Sequence, residues 1–265
     1  MKAVLLDTNG KEKGKIDLPK SFSTKIREDI VFKVLEVKKK NQPYSPSLVA
    51  GKQHSASGKM RHRRHVWQTH YGRGMSRIPR KVMSRRGTQF NWEGAEVSST
   101  KGGRRAHPPK TISMINVKRL NKKELAMAFS SAISATASEK YLKNKYKTLK
   151  NEKIKEVPFI VESNILNLKA KDLLSSIRNI LGEKLFGIAI RKKTQRAGKG
   201  KMRGRKYKTN AGLLMVVGNK EKIKTGNFEI VPIERLGIMD LAEGGLGRLT
   251  IYTEEAIKDM GEKQK

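Results

Sequence analysis

Residues 61 to 81 read RHRRHVWQTHYGRGMSRIPRK, and they gather three of the chain's five histidines and one of its two tryptophans among arginines and lysines, with no carboxylate. Three chemistries could use such a stretch: a metal site, a histidine-based nuclease centre, or a nucleic-acid contact surface. His62 and His65 have H-x-x-H spacing and His70 follows five residues on. A metal requires neutral imidazoles, usually oriented by carboxylates in an outer shell. The neighbours here are Arg61, Arg63, Arg64 and Arg73, cations that repel a bound cation. A nuclease fares no better, because the next acids are Glu93 and Glu96 and neither has a paired partner in sequence. No metal ligand, catalytic residue or cofactor is expected.

A second run, RKKTQRAGKGKMRGRKYK at 191 to 208, holds ten Lys or Arg residues in eighteen and no acid. Gly198, Gly200 and Gly204 suggest a phosphate loop, but neither G-x-x-x-x-G-K-[ST] nor G-x-G-x-x-G is satisfied, because position 203 is Arg. No amphipathic helix follows to point its N-terminus at a pyrophosphate. Glycine-permitted close approach of the backbone to RNA phosphates, with arginines forking onto them, fits better.

The whole chain makes the same demand. Lys and Arg number 59 against 24 Asp and Glu in 265 residues, a net charge of +35. Self-repulsion of that size disfavours a compact state unless a polyanion neutralises it. Residues 51 to 110 carry 15 of the cations and only two of the acids. Trp67, Tyr71, Phe90 and Trp92 are interleaved with those cations, and flat rings in a basic strand suit stacking on unpaired bases. With no cysteine, disulfides and thiolate zinc sites are excluded. No apolar run approaches the length of a membrane span, and MKAVLLD turns acidic at Asp7, too soon for a signal peptide. A cytoplasmic chain without a membrane partner is expected.

The elements that must hold these segments are legible in outline. Lys2 to Leu6 is a short apolar strand ending at the turn dipeptide Asn9-Gly10, and Lys15 to Leu18 could pair back. From about Thr24, Ile26, Ile30, Val34 and Val37 fall at helical spacing. From Asn41 to Lys110 neither period 2 nor period 3.6 is sustained, which marks an insertion, since loops longer than about 12 to 15 residues are uncommon inside a compact domain. Helical periodicity resumes after Asn121, a candidate N-cap with Glu124 three positions on.

Strand signals follow at Val157 to Val161, Leu213 to Val217, Phe228 to Ile233 and Leu249 to Tyr252, with Leu185 to Ile190 as a strand or short buried segment. An amphipathic helix through Leu173, Ile177 and Leu181 closes at Gly182, and Thr253 should cap a last helix beginning with Glu254 and Glu255. Strands alternating with helices predict an α/β fold of three layers, a mostly parallel central sheet between helices, with a long extended basic loop. One globular domain over 1–265 is expected, interrupted by the loop at about 45–110, with 191–210 as a second basic RNA-binding segment. The rivals are an RNA-processing or RNA-modifying enzyme on the same core, for which Asp240 and Glu243 lack a partner base, and a DNA-compacting protein.

Four separated segments, YGRGMSRIPR (71–80), GGRRAHPPK (102–110), RAGKGKMRGRKYK (196–208) and AEGGLGRLTIYTEEA (242–256), resemble the universal large-subunit ribosomal protein L-four family in its archaeal and eukaryotic form. The resemblance runs nearly end to end. It implies a globular domain on the outside of the large subunit and a long loop that penetrates the ribosomal RNA to the wall of the nascent-peptide exit tunnel. It also implies a single copy beside neighbouring ribosomal proteins, with the nascent peptide passing the loop tip, and no enzymatic activity. Carried over by position, Arg73, Arg77, Arg80, Lys81, Arg85 and Arg86 belong to the inward arm and tip, and Arg104, Arg105 and His107 to the return.

Together the two lines of reading assign RNA contacts in the first segment to Lys59, Arg61, Arg63, Arg64, His65, Trp67, His70 and Tyr71, to the arm and return residues just named, and to Trp92, Lys101 and Lys110. In the second run they assign Arg191, Lys192, Lys193, Arg196, Lys199, Lys201, Arg203, Arg205, Lys206 and Lys208.

Overall fold

The computed structural model describes residues 1–39, 61–87, 89–110, 112, 118–149, 154, 157–221, 223 and 226–263. The chain divides into two compact units, Met1–Lys38 with Leu120–Lys265, and Lys39–Arg119.

In the first unit, β1 (Lys2–Leu6) turns back antiparallel onto β2 (Glu12–Asp17). β5 (Phe159–Val161), β8 (Leu214–Val217), β9 (Glu229–Pro232) and β10 (Thr250–Thr253) complete a six-stranded sheet in the order β2-β1-β5-β10-β8-β9. Every pairing after the opening hairpin is parallel. Parallel strands need crossovers, and the crossovers cover both faces, so central strands are apolar on both sides. Period-2 alternation then sorts their side chains. Leu214, Val216, Ile160 and Tyr252 join one cluster with α1 (Glu28–Lys39), α2 (Lys122–Thr136), α5 (Ile238–Leu241) and α6 (Glu254–Lys263). Met215, Val217, Phe159, Val161 and Ile251 join the other, against α4 (Ala170–Ala189) and Leu142 of α3 (Glu139–Lys145). The α/β class with a mostly parallel sheet between helices is the one the element pattern predicts.

Two local expectations change. Leu185 to Ile190 is not a strand. Leu173, Ile177, Leu181, Leu185 and Ala189 form one buried row at four-residue spacing, because a second helical stretch follows directly on the non-helical Gly182 (φ 77°, ψ 165°), where the first one breaks as expected. The first long helix begins at Glu28 rather than Thr24, because Thr24 Oγ1 donates to Ser21 O (2.7 Å) and Ser134 Oγ donates to Thr24 O (2.8 Å), which ties Thr24 into a turn against α2. The predicted cap of the last helix is present: Ala256 N donates to Thr253 Oγ1 at 3.2 Å.

The second unit is not featureless. β3 (Arg80–Arg86) and β4 (Gln89–Gly94) pair antiparallel, with a register shift between Val82 and Arg85. Cations occupy strand positions that period-2 reading reserves for apolar residues, and the bulge breaks the count.

Candidate nucleic-acid interface

Residues 61 to 77 fold into a small knob around His70, which is 4% exposed. Arg61 N donates to Gln68 O (3.1 Å), Thr69 Oγ1 donates to Arg63 O (2.6 Å) and Arg73 N donates to His70 O (3.3 Å), closing the chain on itself without regular secondary structure. His62 meets His70 edge to face, ring centroids 4.7 Å apart, with His62 Nδ1 and His70 Nε2 at 3.3 Å. Tyr71 lies against His70, and the guanidinium groups of Arg64 and Arg77 sit 5.5 Å and 5.9 Å from its ring centroid. The knob therefore presents an exposed ring beside two cations, backed by the buried His70 imidazole, on which the exposed His62 ring packs. Among the described residues no group of three or more His, Cys, Asp or Glu is placed to hold a metal ion.

Further along, Arg80 is turned inward on its own unit. Its guanidinium donates to Trp92 O (3.0 Å), Ser76 O (3.1 Å) and Ser76 Oγ (2.8 Å), pinning the approach to the β3–β4 hairpin. Lys81 lies 3.8 Å from Glu93 across the ladder. Arg61, Arg63, Arg64, His65, Trp67, Tyr71, Arg73, Arg77, Arg86, Lys101, Arg104, Arg105, His107 and Lys110 are exposed, and Trp92 is half-buried. Arg85 is placed in β3, and Lys59 falls outside the described residues.

The second basic run, in the first unit, is itself a hairpin. β6 (Lys193–Gln195) pairs antiparallel with β7 (Tyr207–Thr209), and a 3₁₀ turn over Lys199–Arg203 makes the tip. Gly204 (φ 75°, ψ 2°) ends that turn in the left-handed region, a conformation glycine adopts at no steric cost. Arg196 is half-buried and donates from Nε to Arg205 O (3.0 Å), bracing the two arms, while Arg191, Lys192, Lys193, Lys199, Lys201, Arg203, Arg205, Lys206 and Lys208 are exposed. Lys193 Nζ is 4.2 Å from the centroid of the Tyr207 ring. Among the described residues, no cation from Arg191 to Lys208 is in an ion pair with a carboxylate.

The glycine-rich stretch AEGGLGRL (242–249) forms a bend that feeds β10. The structure makes Arg248 the buried post of that bend: its guanidinium donates to Ala211 O (2.8 Å), Asp240 O (2.7 Å) and Glu229 Oε2 (2.8 Å), and it lies 3.3 Å from Glu243 Oε2. Gly247 has φ 79°, and a Cβ there would meet the Tyr141 carbonyl at 2.5 Å, so the bend also needs a glycine. Asp240 Oδ2 accepts from Gly237 N (2.9 Å), capping α5. Asp240 and Glu243, the closest approach to an acid pair for catalysis, are thus both engaged in holding structure.

The family model described as "Ribosomal protein L4/L1 family" matches residues 16–263. The chain belongs to that family. Among its relatives, "Large ribosomal subunit protein uL4" of Methanocaldococcus jannaschii is 36% identical over 99% of both chains. The proteins of the same name from Thermoplasma acidophilum (35%, 98% of each chain) and Nanoarchaeum equitans (33%, all of this chain and 99% of the relative) are similar to it in the same way. Membership in the L4 family makes this a ribosomal protein and not an enzyme, and the relatives named are archaeal. Among the described residues no helix is long and apolar enough to cross a membrane.

Proposed function

We propose that this chain binds large-subunit ribosomal RNA through two basic surfaces, residues 61–110 and 191–208, and stabilises the fold and assembly of that RNA in cytoplasmic ribosomes. The loop's far end, including Arg73, Arg77, Arg85 and Arg86, lines part of the nascent-peptide exit tunnel, beside neighbouring ribosomal proteins. The observation that carries the reading is the set of exposed cations on both segments with few acids to neutralise them. Their counter-ions must come from another molecule, and a large folded RNA supplies anions to both segments at once. The resemblance in YGRGMSRIPR supports the tunnel placement.

The test is the salt dependence of binding to large-subunit RNA, with a density map of assembled subunits. Each neutralised phosphate adds roughly 0.7 to 0.9 to the slope of log K against log salt, so about a dozen contacts give a steep line. A flat line would remove the RNA reading. Subunits carrying a chain without residues 45–110 should show a wider tunnel, and unchanged tunnel density would remove the tunnel placement alone.

A further inference from the structure

We propose that Met202, at the tip of the β6–β7 hairpin, is an apolar wedge that enters an unstacked step in the bound RNA. The inference rests on the RNA-binding reading above and specifies what one side chain does there.

Met202 is 81% exposed, more than any other large apolar side chain among the described residues. The backbone that carries it is closed on itself. Lys201 N donates to Gly198 O (3.2 Å), Arg205 N to Gly200 O (3.1 Å) and Arg196 N to Lys206 O (2.8 Å), so the tip's own hydrogen bonds set its shape. The base is locked as well: Asn210 Oδ1 accepts from Lys192 N (2.6 Å), and Asn210 Nδ2 donates to Ile190 O (3.0 Å) and Ile188 O (3.3 Å). A tip fixed this way loses little entropy on binding, and the methionine is presented to solvent with no apolar neighbour to cover it.

The surroundings identify the partner. Lys201 and Arg203 flank Met202, and no carboxylate occurs between 191 and 208, so whatever covers the thioether is a polyanion with apolar surface within a few ångströms of its charges. RNA meets that description where bases are unstacked, because base faces lie beside phosphates. A regular RNA duplex does not, since its major groove is too deep and narrow for side chains. Methionine is among the residues that proteins insert between base steps, and its polarizable sulfur favours aromatic faces. Tyr207, 47% exposed, is the ring nearest in sequence, but Lys193 and Lys206 lie over it, so the tip contact falls to Met202.

The experiment uses the full chain and transcribed large-subunit RNA of the source organism, with affinity measured across a salt series. M202A and the uncharged isostere M202Q should each weaken binding roughly twofold to tenfold, while leaving the slope of log K against log salt unchanged. M202L should bind like the parent, and the charge control R203Q should lower the slope by about 0.7 to 0.9. Peroxide oxidation of Met202, followed by peptide mass spectrometry, should slow several-fold in the RNA complex. M202A or M202Q binding as tightly as the parent, or Met202 oxidising as fast in the complex as in free protein, would overturn the wedge even where the parent chain binds RNA steeply. Vesicles of equal phosphatidylcholine and phosphatidylserine that protect Met202 when RNA does not would assign the tip to a membrane surface instead. A parent chain that binds no RNA would remove both readings.

Discussion

Arg248 Nη2 lies 2.8 Å from Glu229 Oε2, and this guanidinium, with no solvent exposure, ties the Gly-rich bend before β10 to the first residue of β9. A buried cation is tolerated only when its donors are met, and here carbonyls 211 and 240 share the task with Glu229. Removing the guanidinium leaves those acceptors facing a cavity. R248A should therefore lower unfolding stability by about 3 to 5 kcal/mol in urea titrations, whereas E229Q, which keeps an acceptor, should cost less. Equal stabilities for R248A and the parent would show that the post carries no weight.

Lys145 lies against the same bend, donating to Glu243 O (2.6 Å) and Gly245 O (3.0 Å). Burial, with Arg248 adding repulsion and Glu243 opposing, pulls its ammonium down to about 7. A lysine whose folded pKa is depressed penalises the folded state below that value, where both states are protonated. Between about 7 and 10.5 the unfolded chain binds the extra proton, so stability rises with pH across that window. Thermal unfolding from pH 7 to 9.5 should show the parent gaining on K145M. Parallel curves for the two proteins would contradict the assignment.

Among the described residues, the apolar clusters that cover both faces of the six-stranded sheet draw on the first unit. Lys33 Nζ of α1 lies 2.8 Å from Glu124 Oε1 of α2, so the helices on either side of that unit's interruption lie side by side. Joining Lys38 to Leu120 through a short glycine linker should give a folded protein by circular dichroism and amide dispersion. It should still bind large-subunit RNA through the β6–β7 hairpin, with a shallower salt slope. A random-coil spectrum would show that the second unit is needed for the first to fold.

In the knob, His70 is the support on which both His62 and Tyr71 rest. H70A should loosen residues 61–77 and speed trypsin cleavage at Arg63, Arg64 and Arg73 in the free protein, whereas added EDTA should leave the parent's cleavage rate unchanged. Chelator-dependent cleavage would point to a metal bridging the two imidazoles.

The sheet, its four longest helices and both basic segments were legible along the chain, because hydrophobic period and charge are local properties. Thr253 ahead of Glu254 and Glu255 is a cap readable from three residues, and it is where the structure has it. What the tertiary structure decided depended on partners far apart in sequence. Leu185 looks like the start of a strand until the row from Leu173 to Ala189 is seen to continue over the kink at Gly182. The β3–β4 hairpin escapes period counting because its pairing, Arg80 with Gly94 and Lys81 with Glu93, is made by backbone bonds that carry no hydrophobic signature. His70 in sequence is one cation-flanked histidine of three, and only its contacts with His62 and Tyr71 make it the buried one. Met202 in sequence is one apolar residue in a run of cations. The hairpin's closure leaves it standing alone at the tip, since burial is settled by what the rest of the chain leaves uncovered.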